Sequence, residues 1–378
     1  MQCMKLDHLK LAHLRGLTAQ KFLRDYWQKK PLLIRQAFPG FCGWLTPDEL
    51  AGLACEEDAQ SRLVLKSRGK WKLEIGPFDE ERFSRLPKKG WSLLVQGVND
   101  FLPEGAELLQ QFNFIPTARL DDLMVSFAPD GGGVGPHFDS YDVFLLQGQG
   151  QRLWRVSQQD DMELVDGAPL RILKNFRSEQ EWLLDPGDML YLPPRCAHWG
   201  IAVGPCMTWS VGFRALSAQE LGTRFLAYLQ DNLHLEGMYA DPDLKLQSHP
   251  AEIPTQMIAK AVAMLSAIRW GKADAARFLG EYLTEPKSHV VFSPPRRATL
   301  TKFGERLAKC GVRLDLHSLM LFHGFTVFIN GESMEVEAEI LPLLQQLADC
   351  RALPPLSSGP AAALLYQWYN AGYLQFDC

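Results

Sequence analysis

The run Gly131-Gly132-Gly133-Val134-Gly135-Pro136-His137-Phe138-Asp139 constrains this chain more than any other stretch. Glycines at this density let a backbone turn tightly or pass close to another segment. His137 and Asp139 lie two apart, so on an extended strand both side chains point to one face. His198 follows about sixty residues later. A distant strand that brings it alongside would complete a two-histidine, one-carboxylate set. Such a set holds Fe(II) on one side and leaves positions open for oxygen and a co-substrate. The first reading is an iron-dependent oxygenase.

The surroundings read as a β-fold. Between about 120 and 214, short apolar runs alternate with glycine and proline turns. Leu123 to Phe127, Val143 to Leu146, Leu153 to Val156, Met189 to Leu192 and Met207 to Phe213 are the main runs. Gln147-Gly148-Gln149-Gly150 reads as a turn between two of them. This pattern predicts an all-β barrel or double-sheet jelly roll. Asp185-Pro186-Gly187-Asp188, an apolar strand, Pro193-Pro194 and then His198 resemble the second cupin motif, in which such a histidine is a ligand.

An open iron site can take the keto-acid end of 2-oxoglutarate, whose far carboxylate then needs a cation. A guanidinium binds a carboxylate through two parallel hydrogen bonds. Arg152 and Arg155 are the candidates; three apart on a strand, they face opposite sides. Period alone leaves the choice open, since Arg152 shares parity with Trp154 and Val156. Ser126 could add a hydroxyl, and Ser210 is a weaker candidate.

The chain resembles the JmjC/cupin family of 2-oxoglutarate oxygenases over residues of about 20 to 215. Within it, the chain is similar to the bacterial ribosomal oxygenase group. The resemblance rests on Tyr26-Trp27-Gln28-Lys29-Lys30-Pro31-Leu32-Leu33-Ile34-Arg35, on Ser126 to Asp139, and on Tyr141-Asp142-Val143-Phe144. Gln147-Gly148 through Arg152, Trp154-Arg155-Val156 and Ser210-Val211-Gly212-Phe213-Arg214 extend it. It implies iron ligands His137, Asp139 and His198, and a 2-oxoglutarate site at Arg152 with Ser126. It implies Fe(II), 2-oxoglutarate and oxygen as cofactors. The implied reaction is hydroxylation of an arginine β-carbon in a large-subunit ribosomal protein, with histidine in a ribosomal protein as the alternative. An arginine substrate needs an acidic or polar pocket. Asp130 is the candidate partner, Tyr141 a wall or hydroxyl, and Asp142 a rival.

The implied fold class is α+β: a double-stranded β-helix (jelly-roll/cupin) JmjC domain, a helical dimerisation segment and a C-terminal winged-helix-like domain. Residues 1–100 read as an α/β lead-in, 101–215 as the catalytic domain, 216–272 as the helical segment and 273–378 as the winged-helix-like part. Thr18 to Trp27 reads as a helix, followed by strands at Pro31 to Arg35 and Trp91 to Gln96. Ser217-Ala218-Gln219-Glu220 has capping-box spacing at the start of a helix. Thr255 to Trp270 reads as a second helix, with Ile258, Val262, Leu265 and Ile268 on one face. Arg296 to Lys309, Ala338 to Ala348 and Ala361 to Asn370 read as further helices. Asn330-Gly331 between Thr326-Val327-Phe328-Ile329 and Ser333 to Val336 predicts a hairpin.

A length of 378 residues predicts two or three domains, and 47% apolar content a sizeable core. A net charge of −5 argues against nucleic-acid binding through the whole chain. Lys287, Arg296, Arg297, Lys302, Arg306 and Lys309 are locally basic, a pattern that usually marks a solvated face. No membrane span and no secretory signal are expected, and the chain reads as cytoplasmic. The eight cysteines form no Cys-x-x-Cys pair and are expected as reduced thiols. A homodimer is implied by the family. Two rival readings stand beside the oxygenase. One is a cupin enzyme that does not use 2-oxoglutarate, and the other a non-enzymatic winged-helix binding protein.

Overall fold

The computed structural model describes residues 14–378 apart from 68, 296, 297 and 358. The reading of residues 1–13, Cys3 included, and the basic positions 296 and 297 lie outside the described residues. Nine strands form one antiparallel sheet. They are β1 (Leu32–Ile34), β2 (Ser61–Ser67), β3 (Lys70–Ile75), β4 (Trp91–Val95), β5 (Leu120–Ala128), β6 (Val143–Ser157), β7 (Gln180–Leu184), β8 (Met189–Leu192) and β9 (Ala197–Phe213). Their order is β1-β8-β6-β9-β5-β4-β2-β3, with β7 on β6.

Alternation along these strands separates a core from a cavity. Phe144, Leu146, Trp209 and Val211 are buried in a core they share with Phe22 and Leu50 of two preceding helices and with Phe112 in a turn. Their odd-and-even partners Val143, Leu145, Thr208 and Ser210 line a cavity on the other face. This is the period-two pattern of a two-faced strand. Full burial of a side chain such as Phe22 contributes about 2–3 kcal/mol.

The expected turn at Gln147–Gly150 is instead a bend inside one continuous strand. β6 runs on through it, and its register with β9 shifts between Gln147 and Gln149 and again between Gln149 and Gln151. Gly150 has φ +62°, and a Cβ there would lie 2.0 Å from the Pro205 carbonyl oxygen. Glycine lets the strand kink while pairing resumes on the far side. β8 pairs with the first part of β6 and β7 with the second.

Contacts divide the chain into two units. The unit with the large sheet also contains the Leu300–Cys310 and Ala362–Ala371 helices. It holds the small sheet of β10 (Val312–Leu314), β14 (Ala352–Leu353) and β15 (Leu374–Phe376) as well. Cys310 and Cys378 are joined by a disulfide, which corrects the expectation of reduced thiols throughout. Their Cα atoms lie 4.8 Å apart, within bonding range although 68 residues separate them in sequence.

The other unit, Leu216–Pro286 with Leu319–Gln345, contains three helices and a hairpin sheet. That sheet is β11 (Met320–His323), β12 (Thr326–Ile329) and β13 (Glu332–Glu335). Asn330 and Gly331 both have positive φ, as the predicted type I′ turn requires. The Lys272–Thr284 helix packs on the hairpin, with Gly280 against the Phe328 ring and Thr284 Oγ1 accepting from Gly331 N–H. Ser217 caps its helix by accepting from Glu220 N–H. The reciprocal half of the expected box is not formed; Glu220 instead accepts from the Tyr282 hydroxyl at 2.6 Å. The second helix stops at Leu265, short of the expected Trp270, and leaves Ile258, Val262 and Leu265 more than half exposed. No helix among the described residues is long and apolar enough to cross a membrane.

Candidate active site

The glycine-rich run is a loop threaded between strands. A Cβ on Gly132 would stand 2.1 Å from the Trp91 carbonyl oxygen, and one on Gly133 would stand 2.3 Å from that of Gly200. Only residues without a Cβ pass here. The loop delivers His137 to β9, where it forms a single bridge with His198. The extended strand expected at His137–Asp139 is reduced to that bridge. Asp139 still turns to the same side, and its Oδ2 lies 3.6 Å from His198 Nε2 and 4.0 Å from His137 Nε2.

Each imidazole is oriented by its other nitrogen. His137 Nδ1 lies 2.9 Å from Gly135 O, and His198 Nδ1 lies 2.8 Å from Cys196 O. A carbonyl only accepts, so both Nδ1 atoms carry the proton and both Nε2 lone pairs face Asp139. Burial, with His137 alongside, lowers the His198 pKa to about 4 and keeps the ring neutral. One ligand atom from each of the three residues lies within 4.8 Å of the others. Two neutral imidazoles and a carboxylate suit a divalent cation of the iron type. Cys196 stays apart: its thiol turns to the Ser157 carbonyl, and burial pushes it up to about 12.

The three donors line a cavity of about 650 Å³. Arg152 points into its wall and is only 5% exposed, while Arg155 faces outward and pairs with Glu181 at 2.9 Å. The parity of Arg152, Trp154 and Val156 is thus the inward one. Arg152 Nε lies 3.5 Å from Cys206 Sγ, and Nη2 has no partner among the described residues. A buried guanidinium with an unused donor is costly until an anion meets it. The site therefore fits a carboxylate as well as a metal. Ser126 and Ser210 are buried on the same wall.

The substrate candidates separate. Tyr141 lines the cavity; burial, and then the Asp139 charge, hold its phenol well above its ordinary pKa. Asp142 faces the core, bound by the Tyr191 hydroxyl at 2.6 Å and Gln28 Nε2 at 2.9 Å. Asp130 is a correction: it is exposed outside the cavity, and its carboxylate accepts from Gly204 N–H at 3.0 Å. It acts as a turn-former, as short acidic side chains in loops commonly do.

Sequence reasoning missed Asp122, a 3% exposed carboxylate in the cavity wall. It accepts from Gln96 Nε2 at 3.0 Å and Gly97 N–H at 2.9 Å. Burial, then Asp121, push it up to about 6. Its even parity with Met124 and Ser126 was the available signal. Also missed was the bridge between Leu164 and Leu173 at the cavity edge, where Arg171 stacks on Phe138 at 4.7 Å.

A JmjC domain family model matches residues 107–221, and a ROXA-like winged helix model matches 267–375. The Ribosomal protein uL16 3-hydroxylase of Escherichia coli is 36% identical over 370 residues, covering 94% of this chain and 97% of that protein. The chain belongs to the JmjC family of ribosomal oxygenases. An X-ray structure of E. coli ycfD superposes with a TM-score of 0.84 at 33% identity, covering 98% of this chain and 99% of that one. The E. coli ribosomal oxygenase YcfD in complex with cobalt and 2-oxoglutarate gives 0.81 at 35% identity, covering 95% and 98%. A probable ribosomal oxygenase of Haemophilus influenzae is 42% identical over 235 residues, covering 61% of this chain and 56% of that protein. The JmjC cupin fold and the winged-helix domain of this oxygenase accord with the sequence expectation.

Proposed function

We propose that this ribosomal oxygenase hydroxylates the β-carbon of an arginine in a large-subunit ribosomal protein of the uL16 type, using Fe(II), 2-oxoglutarate and oxygen. The observation that carries the reading is Arg152. Its buried, partly unpartnered guanidinium lies in the same cavity as the His137, Asp139 and His198 donors. Iron and 2-oxoglutarate, when bound, would supply the oxidising power. The chain's own task is to bind, orient and exclude water.

His137, Asp139 and His198 would hold the metal, with both imidazoles fixed by their Nδ1 hydrogen bonds. Arg152 would bind the distal carboxylate of 2-oxoglutarate, with the Ser126 hydroxyl beside it. Tyr141 and Asp122 would receive the substrate. A buried carboxylate with a phenol nearby matches a guanidinium in charge and in donor geometry. The apolar walls formed by Val64, Leu73 and Leu145 keep water from the reacting carbon.

In our reading, residues 1–100 lead into a catalytic domain at 101–215, followed by a dimerisation segment at 216–272 and a winged-helix-like part at 273–378. The exposed stripe of Ile258, Val262 and Leu265 supports a homodimer. A ribosomal protein substrate supports a cytoplasmic site of action. The test is succinate formation with Fe(II) and 2-oxoglutarate in the presence of a ribosomal protein fragment. Native enzyme should be stimulated by the fragment, whereas turnover that ignores 2-oxoglutarate would contradict the reading.

A further inference from the structure

Lys66 stands between two indoles. Its Nζ lies 5.0 Å from the Trp71 ring centroid and 5.3 Å from that of Trp199. Trp71 pairs directly with Lys66 across β2 and β3. Trp199 belongs to β9 and follows His198 immediately. In the sheet order, β4 and β5 separate β2 from β9, so no ladder joins these strands. One ammonium bridges them. A second cation on Trp199, Arg155 at 5.7 Å, is already paired with Glu181.

The two indoles lie against the glycine-rich loop. A Cβ on Gly135 would be 2.8 Å from Trp71 Cζ2, and one on Gly133 would be 3.7 Å from Trp199 Nε1. Glycines have no side chains with which to anchor themselves and lose the most freedom on folding. Something outside the loop must supply the packing that holds it. Trp71 packs at the Gly135 end, Trp199 near Gly133, and Lys66 draws the two rings together. His137 is the second residue after Gly135 and donates its backbone N–H to His198 O.

We propose that Lys66 is a positioning residue for the metal centre: its ammonium clasps Trp71 to Trp199 over the glycine-rich loop and so fixes His137 against His198. The inference rests on the reading of His137, Asp139 and His198 as metal ligands. A cation is attracted to the faces of both rings at once. An apolar side chain of similar length fills the space without that attraction.

The test is equilibrium Co(II) binding to the metal-free full-length protein, followed by the absorption of the bound ion. Lys66→Met should weaken Co(II) about three- to tenfold, the scale of two partly exposed cation–π contacts. Lys66→Arg keeps the charge and should restore affinity to within about twofold. With metal saturating, half-saturation by 2-oxoglutarate should move less than about twofold in Lys66→Met, because Arg152 is untouched. Native-like Co(II) affinity in Lys66→Met overturns the proposal, even if that variant melts earlier. Should Lys66→Met not fold, Trp199→Phe keeps a ring of weaker attraction and must also bind Co(II) less tightly; unchanged affinity there overturns the proposal equally. A native protein that takes up no Co(II) refutes the metal site itself, a result distinct from an unaffected variant.

Discussion

His137 and His198 exchange both of their backbone hydrogen bonds, at 2.9 Å and 2.8 Å, and their rings stand 4.2 Å apart. A loop residue and a strand residue about sixty positions apart are locked as one pair. This backbone pair brings the two residues together, and the Nδ1 hydrogen bonds to Gly135 O and Cys196 O turn both Nε2 atoms to the same side. His137→Ala should lower metal affinity and turnover by more than about a hundredfold, since even residues that only orient a ligand are worth 10- to 100-fold. Metal titration and succinate release check it together. Full activity would exclude His137 as a ligand.

Arg152→Ala should raise the 2-oxoglutarate concentration for half-saturation by about a hundredfold, the scale of a lost charge-assisted pair. Metal binding without co-substrate should be close to native. An unchanged 2-oxoglutarate requirement would remove Arg152 from its assigned role.

Asp122 has a folded pKa raised to about 6 by burial and Asp121, above its ordinary 3.8. The sign follows directly. Its neutral form stabilises the empty fold at low pH, and that contribution is lost as pH rises through about 6. A guanidinium binds the ionised form, so substrate affinity should fall as pH drops through the same range. Asp122→Asn should raise the half-saturating concentration of the protein substrate about tenfold or more and abolish this pH dependence. A variant with a native pH profile for substrate binding would contradict the assignment.

Glu74 accepts from Arg82 Nε at 2.7 Å and Nη2 at 3.1 Å, with Lys72 Nζ also at 2.7 Å. The Arg82 hydrogen bonds, and then Lys72, hold its carboxyl at about 2, below the usual 4.5. A depressed carboxylate contributes its full stability above the unfolded value and loses it as pH falls through the folded one. Glu74→Gln should cost about 1–2 kcal/mol at neutral pH, and the gap should close in acid. Melting curves between about pH 7 and pH 3 would show the two proteins converging; parallel curves would disprove the linkage.

Gly133→Ala tests the threaded loop. Its Cβ would meet the Gly200 carbonyl at 2.3 Å, a backbone atom that cannot swing away. A loss of about 1–3 kcal/mol, with weakened metal binding, is expected from thermal melting and Co(II) titration. Native stability would show that the loop is not confined as described.

The barrel strands were legible because one residue in two had to face the core, and Phe144 and Leu146 or Trp209 and Val211 kept that period. Spacing left Arg152 as one of two choices, and the family resemblance singled it out, since inward parity is decided by burial and not by spacing. The bend at Gln147–Gly150 was misread because the same glycines serve a reversal or a kink, and the partner strand decides which. Asp130 and Asp122 show the same limit from the other side. Both are acidic residues near the loop, but only β5 fixes which carboxylate enters the cavity. The Cys310–Cys378 bond depends on a fold that returns the last residue to a helix end 68 positions earlier, which spacing does not encode.

The most direct measurement is mass spectrometry of a uL16-type ribosomal protein fragment after incubation with native enzyme, Fe(II), 2-oxoglutarate and oxygen. The account predicts one added oxygen on an arginine β-carbon, absent without 2-oxoglutarate and absent with Arg152→Ala at modest co-substrate. Oxygen placed on a histidine, or succinate released with the fragment unmodified, would contradict it.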